Sequence, residues 1–70
     1  MKKLQTPITG TLRSFAVKPG DTITVGQEVA MVESMKMLIP VLADVDGRVT
    51  RLAKNPNDVV HEGETLIELE

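Results

Sequence analysis

The sequence predicts an all-β domain built from two interlocked copies of one motif. No stretch of helical length keeps apolar side chains at helical spacing, and glycine or proline interrupts the chain at short intervals. Short apolar runs between these interruptions are typical of a β-sandwich or small barrel. The chain also matches itself without a gap when it is shifted by 37 residues, which places Gly47 on Gly10 and Pro56 on Pro19.

In the first part of the chain, strands are predicted at residues 12–17, 22–25, 28–33 and 37–42. Pro19 and Gly20 separate the first two, because proline fixes φ and glycine accepts the positive φ of a turn. Gly26 separates the second strand from the third. The fourth contains Pro40, which cannot donate to a ladder and is expected on an edge strand or at a solvent-facing position.

The second part repeats this order, with strands predicted at 48–53, 58–60 and 65–69. Asp46-Gly47 precedes the first of these as a tight-turn pair. Asn57 stands where the first copy has Gly20, and asparagine tolerates the left-handed region better than most residues. Gly63 precedes the last strand.

Residues related by the 37-residue shift are expected to face one shared interior. Phe15 is the only aromatic residue of the chain, so this interior must be built from aliphatic side chains in closely approaching layers. The expected core pairs are Leu12/Val49, Phe15/Leu52, Ile23/Val60 and Val32/Leu69.

The composition limits the classes of function. Residues 1–70 are expected to form a single domain, and a net charge of −2 argues against a nucleic-acid partner. No apolar run reaches the length of a membrane span, and polar Gln5 and Thr6 follow Lys2 and Lys3 where a signal peptide would be apolar. Cysteine is absent. We therefore expect a cytoplasmic protein with neither a membrane nor a nucleic-acid partner.

The sequence predicts no catalytic residue and no metal site. His61 is the only histidine, and its place in a turn is typical of a solvated side chain. Ser14 and Ser34 have no base at useful spacing, and the carboxylates are dispersed without metal-ligand spacing.

Lys36 is the candidate functional residue because it belongs to the one element that the duplication leaves unrepeated. It lies in the connection between the two copies, between Met35 and Met37. A lysine on a protruding turn, with flexible methionines that an enzyme can contact, suits covalent modification. Its ammonium is protonated at neutral pH, so a partner would have to activate it. The alternative is a solvated turn lysine whose flanking methionines cover the end of the barrel.

The segment Glu33-Ser34-Met35-Lys36-Met37 resembles the Glu-(Ala/Ser)-Met-Lys-Met motif of the biotinyl/lipoyl attachment domains, in their biotin carboxyl carrier branch. Residues 6–12 resemble the family's first strand and turn. Residues 17–27 resemble its Gly-Asp-x-Val-x-x-Gly-Gln segment. Residues 46–49 and 57–64 resemble the equivalents in the second half, so the resemblance covers nearly the whole chain.

This resemblance implies a flattened β-barrel, or barrel-sandwich hybrid, of two four-stranded antiparallel sheets with a quasi-twofold repeat. It implies that a biotin protein ligase attaches biotin to Lys36 at a hairpin tip. Met35 and Met37 would be recognition residues, and Glu33 and Ser34 would shape the approach. The biotin would carry a carboxyl group between a biotin carboxylase and a carboxyltransferase of a biotin-dependent carboxylase or decarboxylase, so the chain itself is expected to be a carrier and not an enzyme.

Two other interpretations stay open. Lipoyl domains usually present Asp-Lys-Ala at this turn, but small members resemble both branches, so a lipoyl or doubly modified carrier is the first alternative. The second is an unmodified β module that binds a protein partner. Leu38 also departs from the polar residue that often follows Met-Lys-Met, and the chain lacks the protruding thumb of some carriers.

Overall fold

The computed structural model describes residues 2–70 as eight strands in two antiparallel sheets. No residue in this range is helical, so the described part of the chain contains no helix that could cross a membrane. The strand orders are β1-β8-β6-β3 and β5-β4-β2-β7, which confirms the two four-stranded sheets. The strands are β1 (Lys2–Gln5), β2 (Gly10–Phe15), β3 (Thr22–Ile23), β4 (Glu28–Ser34), β5 (Met37–Leu42), β6 (Gly47–Leu52), β7 (Val59–Val60) and β8 (Thr65–Leu69).

The internal repeat of the sequence is a repeat of the structure. A shift of 37 residues places β2 on β6 and β3 on β7, and it also converts one sheet order into the other. Strands β1 to β4 form the first copy and β5 to β8 the second. In each sheet the two central strands come from one copy and the two edge strands from the other. The copies are therefore interlocked, as the sequence predicts.

Hydrogen bonds at the turns follow the same repeat. The amide of Lys18 donates to the Asp21 carboxylate at 3.0 Å. At the equivalent place the amide of Asn55 donates to the Asp58 carboxylate at 2.9 Å. Because each aspartate accepts a bond from the residue three positions earlier, both copies fix the same turn with the same side chain.

Two of the predicted turn features are correct and one is wrong. Gly20 and Asn57 both have positive φ, at 98° and 78°, as their turn positions require. Asp46-Gly47 forms no tight hairpin turn, because Gly47 lacks a positive φ and already begins β6. The chain crosses here from one sheet to the other, and the Asp46 carboxylate accepts a bond from the Val25 amide at 2.8 Å.

The first strand was missed by the apolar pattern. Leu4 is the only apolar residue of β1 and is buried, whereas its neighbours are polar and exposed. A single apolar residue cannot show the alternation of apolar and polar side chains that identifies a strand. The resemblance assigned residues 6–12 to the first strand and turn. Residues 6–9 form a turn, and residues 10–12 begin the second strand, β2. In the turn the Thr6 hydroxyl donates to the Ile8 carbonyl at 2.7 Å.

Aliphatic side chains from both copies form the core. Six of the eight predicted core residues are buried, but Phe15 and Leu52 are only half-buried and pack against the margin. Phe15 ends β2 after an irregularity between Leu12 and Ser14, and the same irregularity occurs in β6. The buried hydrophobic residues are Leu4, Leu12, Val17, Ile23, Val29, Ala30, Val32, Val41, Ala43, Val49, Val60, Leu66, Ile67 and Leu69.

Gly10 allows a close approach of β2 to the end of β4. A Cβ atom at this position would overlap the Glu33 carbonyl oxygen and would lie 2.9 Å from Val32 Cγ1. Its equivalent in the second copy, Gly47, would meet its nearest atom, Leu69 Cβ, at an ordinary 3.4 Å. The two glycines are equivalent in the repeat but only Gly10 is required by packing.

We expect Gly10→Ala to lower the free energy of unfolding by about 1–3 kcal/mol, because a backbone oxygen cannot move aside as a flexible side chain can. Gly47→Ala is the matched control. It should be neutral or stabilise the fold by about 0.4–1 kcal/mol, because alanine restricts the unfolded chain. Chemical denaturation of both variants measures this difference. Equal effects of the two substitutions would contradict the packing difference.

Candidate functional site

Lys36 lies at the tip of the hairpin that joins β4 to β5. Ser34 pairs with Met37 at the base of the turn, which leaves Met35 and Lys36 as a two-residue loop. Both loop residues have positive φ, 52° for Met35 and 66° for Lys36. Positive φ at both central positions is the pattern of a type I′ turn, whose twist matches that of the flanking strands.

This turn is occupied by residues that do not favour it. Type I′ loops are usually Asn-Gly or a similar pair, because a Cβ atom is disfavoured in the left-handed region. Met35 and Lys36 take the conformation because the pairing of β4 with β5 imposes it. Side chains that cost stability at a surface turn indicate a requirement other than folding.

The two methionines that flank Lys36 are exposed, and neither belongs to the core cluster. Met35 is 91% exposed and Met37 is 61% exposed. This finding removes the interpretation in which they cover the end of the barrel. Lys36 is also exposed, and its ammonium makes no salt bridge or side-chain hydrogen bond to any residue in 2–70.

Glu33 and Ser34 are half-buried and lie below the loop on β4. Glu33 pairs with Leu38 across β5, and Arg13 Nε of the neighbouring strand lies 3.6 Å from Glu33 Oε1. The structure thus places Ser34, Met35, Lys36 and Met37 together at the tip, with Glu33 on the outer face of the sheet. Sequence reasoning gave Arg13 no role, since only the pairing of β2 with β4 brings it to Glu33.

The turn between β7 and β8 lies at the same end of the molecule. Val60 of β7 pairs with Gly10, whose neighbour Thr11 pairs with Glu33 beside the hairpin. β8 starts after this turn and runs away from the hairpin, so Leu69, which pairs with Lys2, lies at the opposite end. The tip therefore projects away from the region where β1 begins.

His61 belongs to that turn and has a local structural role. Its amide donates to Glu64 Oε1 at 2.7 Å, and this bond lowers the pKa of the Glu64 carboxyl. Its Nδ1 lies 3.5 Å from the same oxygen. The amide of the adjacent Glu62 donates to the Thr9 hydroxyl at 2.9 Å.

The chemistry available at the tip is that of an exposed primary amine. Within residues 2–70, no three acidic, histidine or cysteine side chains come together as metal ligands. In the same range no side chain forms an ion pair or hydrogen bond with the Lys36 ammonium, and the Glu33 carboxylate contacts Arg13. The hairpin can therefore present an amine to another protein that supplies the base and an activated acyl group.

Comparison with known proteins shows where this architecture occurs. A family model described as "Biotin-requiring enzyme", of the biotin/lipoyl type, matches residues 2–69. The biotin/lipoyl attachment protein of Bacillus subtilis is 52% identical over 60 residues, which are 86% of this chain and 82% of that protein. The mitochondrial propionyl-CoA carboxylase alpha chain of Homo sapiens is 39% identical over 67 residues, 96% of this chain but only 9% of its own length.

Solved structures show the same fold. The urea carboxylase of Kluyveromyces lactis superposes with a TM-score of 0.88 at 25% identity, over 99% of this chain and 6% of that one. The lipoyl domain of the 2-oxoglutarate dehydrogenase complex from Azotobacter vinelandii superposes with a TM-score of 0.71 at 32% identity, over 89% of this chain and 78% of that one.

The strain in the turn gives a stability prediction. Met35→Asn should raise the free energy of unfolding by about 0.5–1 kcal/mol, because asparagine relieves part of the roughly 1–2 kcal/mol cost of the left-handed region. Met37→Asn is the control, since Met37 lies in a strand without a positive φ and should gain nothing. Denaturation curves of both variants test this. A gain at position 37, or none at position 35, would contradict the role assigned to the turn.

Proposed function

The chain belongs to the biotin/lipoyl attachment domain family, and from this premise we propose that it is a biotin carboxyl carrier in which Lys36 bears biotin. The observation that carries the proposal is the placement of Lys36. It lies at the tip of a hairpin, exposed, between two exposed methionines in a turn that other residues would suit better. As a member of this family the chain is a carrier and not a catalytic domain.

The residues of the tip fit an acylated lysine. Two of the three protons of the Lys36 ammonium would pass to a base of the biotin protein ligase and to solvent, and the third would stay on the amide nitrogen. Its nitrogen forms an amide with the carboxyl carbon of biotinyl-adenylate as the bond to AMP breaks. Met35 and Met37 offer flexible, polarizable contacts beside the amine, and Glu33 and Ser34 hold the base of the hairpin.

The bound biotin supplies a ureido nitrogen that carries a carboxyl group from a biotin carboxylase site to a carboxyltransferase site. The chain's own contribution is position and reach. The paired strands of the β4–β5 hairpin hold the attachment point away from the rest of the domain, so a tethered group meets both partner sites at high effective concentration. The likeness to parts of the propionyl-CoA carboxylase and urea carboxylase chains supports partners of this class.

A lipoyl or doubly modified carrier is the second candidate. Two relatives favour it, namely the B. subtilis protein, whose name includes both cofactors, and the lipoyl domain with 32% identity. The methionines on both sides of Lys36 favour biotin, because lipoyl domains usually present Asp-Lys-Ala at this turn. An unmodified protein-binding module is the remaining candidate, and intact mass after treatment with ligases separates all three.

We expect biotin on Lys36 alone among the five lysines of the chain. Peptide mapping after treatment with biotin protein ligase, biotin and ATP should locate the added mass at that residue. Lys36→Arg removes the primary amine while keeping the charge, so it should abolish labelling and leave the unfolding midpoint unchanged. Label on Lys18 or Lys54, or in the Lys36→Arg variant, would refute the assignment.

Selectivity between the cofactors is expected to depend on the flanking methionines. Changing Met35 to Asp and Met37 to Ala should lower the initial rate of biotinylation and raise the rate of lipoylation at fixed ligase concentrations. A denaturation curve controls for folding, because both side chains are exposed and contribute little to the core. Unchanged rates with both ligases would place recognition elsewhere on the domain.

A further inference from the structure

The outward side of β5 is apolar along its length, whereas β4 places the charged residues Glu33 and Glu28 beside Leu38 and Leu42. Leu38, Pro40 and Leu42 follow one another on the outward side of β5, and Met31 lies beside Pro40 on β4. We call these four residues the hairpin face. Leu38 is 61% exposed and Leu42 is 53% exposed, so this surface lies in contact with water in the domain alone.

The internal repeat provides a counterpart of the hairpin face on the other sheet. It occupies the equivalent place in the fold but carries different side chains. A shift of 37 residues relates Pro40 to Lys3 and Leu42 to Gln5, on β1 of the other sheet. It also relates Met31 to Glu68, whose carboxylate lies 3.0 Å from Arg51 Nη2. The same fold therefore accepts charged and polar side chains at these positions.

The contrast means that the apolar side chains of the hairpin face are not required by the core. β5 is an edge strand, and edge strands commonly carry charged side chains that prevent association. The counterpart strand β1 carries the charged residues Lys2 and Lys3, whereas β5 (Met37–Leu42) carries no charged residue. Pro40 has no N–H to donate to a strand added at this edge. A partner is therefore expected to contact the side chains of the hairpin face and not to extend the sheet.

We propose that the hairpin face is the docking surface for the enzyme that acylates Lys36, an inference that rests on the proposed function. The lysine amine stands on a four-carbon stem, so that enzyme must approach closely to the hairpin backbone. A standard interface covers about 800 Å² per partner, which is a disc of roughly 16 Å radius. Pro40 lies four residues from Lys36, roughly 13 Å along an extended strand, and falls within such an interface.

The position of this face behind the tip favours the acylating enzyme over the catalytic partners that act later. Those partners reach a group at the end of a long tether, so their sites need not contact the strands behind the tip. The acylating enzyme must instead select one lysine of five, and an apolar surface continuous with the Met35–Met37 tip distinguishes Lys36 from lysines on polar surroundings such as Lys3.

The test is a Pro40→Lys, Leu42→Gln double variant, which introduces the residues found at the counterpart positions. Its control is Gln5→Lys, which makes the same change of charge on the counterpart face. Initial rates of Lys36 biotinylation are measured by intact mass over a range of carrier concentrations, so that KM and kcat are obtained separately. We expect the double variant to raise KM about tenfold with kcat within about twofold, and the control to match the wild type.

Several results would overturn the inference. An unchanged KM in the double variant, with Lys36 still labelled, would refute the docking surface and leave the proposed function intact. A fall in kcat without a change in KM in the double variant would also refute the docking surface. So would a rise of KM in the Gln5→Lys control equal to that in the double variant. If sedimentation shows that wild-type dimers dissociate in the double variant, a second copy covers the face. A wild-type chain that takes no biotin refutes both proposals.

Discussion

Aliphatic side chains from both copies of the motif meet in one layer between the two sheets, and the other features of the domain are arranged around this layer. Leu12 and Val32 come from the first copy, and Val49 and Leu69 from the second. Because each sheet takes its central strands from one copy and its edge strands from the other, neither copy can bury its apolar side chains alone. Aliphatic residues fill the layer, and the one large ring, Phe15, remains at its margin.

The hairpin is where the repeat is broken, and the candidate site lies there. Elsewhere the two copies duplicate their strands, their turn hydrogen bonds and even their irregularities of register. At the tip, Met35 and Lys36 occupy a turn that disfavours both, without taking part in the core. The close approach of β2 at Gly10 supports the base of this hairpin from the neighbouring strand. A closely packed base with an exposed, strained tip is an arrangement suited to presenting one side chain to another protein.

A duplicated fold also provides its own comparison for surface residues. Where the two copies carry the same kind of residue, as at Asp21 and Asp58, the shared fold explains it. Where they differ, as between apolar Met31 and charged Glu68, the fold permits both and the difference needs another cause. A similar difference occurs at the turn caps, where the side-chain oxygen of Gln27 accepts from Thr24 and that of Glu64 accepts from His61. The neutral oxygen of Gln27 and the charged oxygen of Glu64 accept from equivalent amides, so the turn does not require the negative charge of Glu64.

The sequence by itself determined the all-β class, the interlocked repeat, most strand positions and the singular place of Lys36. Each of these depends on local turn residues or on a fixed spacing that can be read along the chain. Only the tertiary structure revealed β1, the half-burial of Phe15, the absence of a tight turn at Asp46-Gly47 and the close contact that requires Gly10. It also revealed the apolar outward side of β5 beside Lys36. These features depend on which strands pair and what covers each face, and residues distant in sequence decide both.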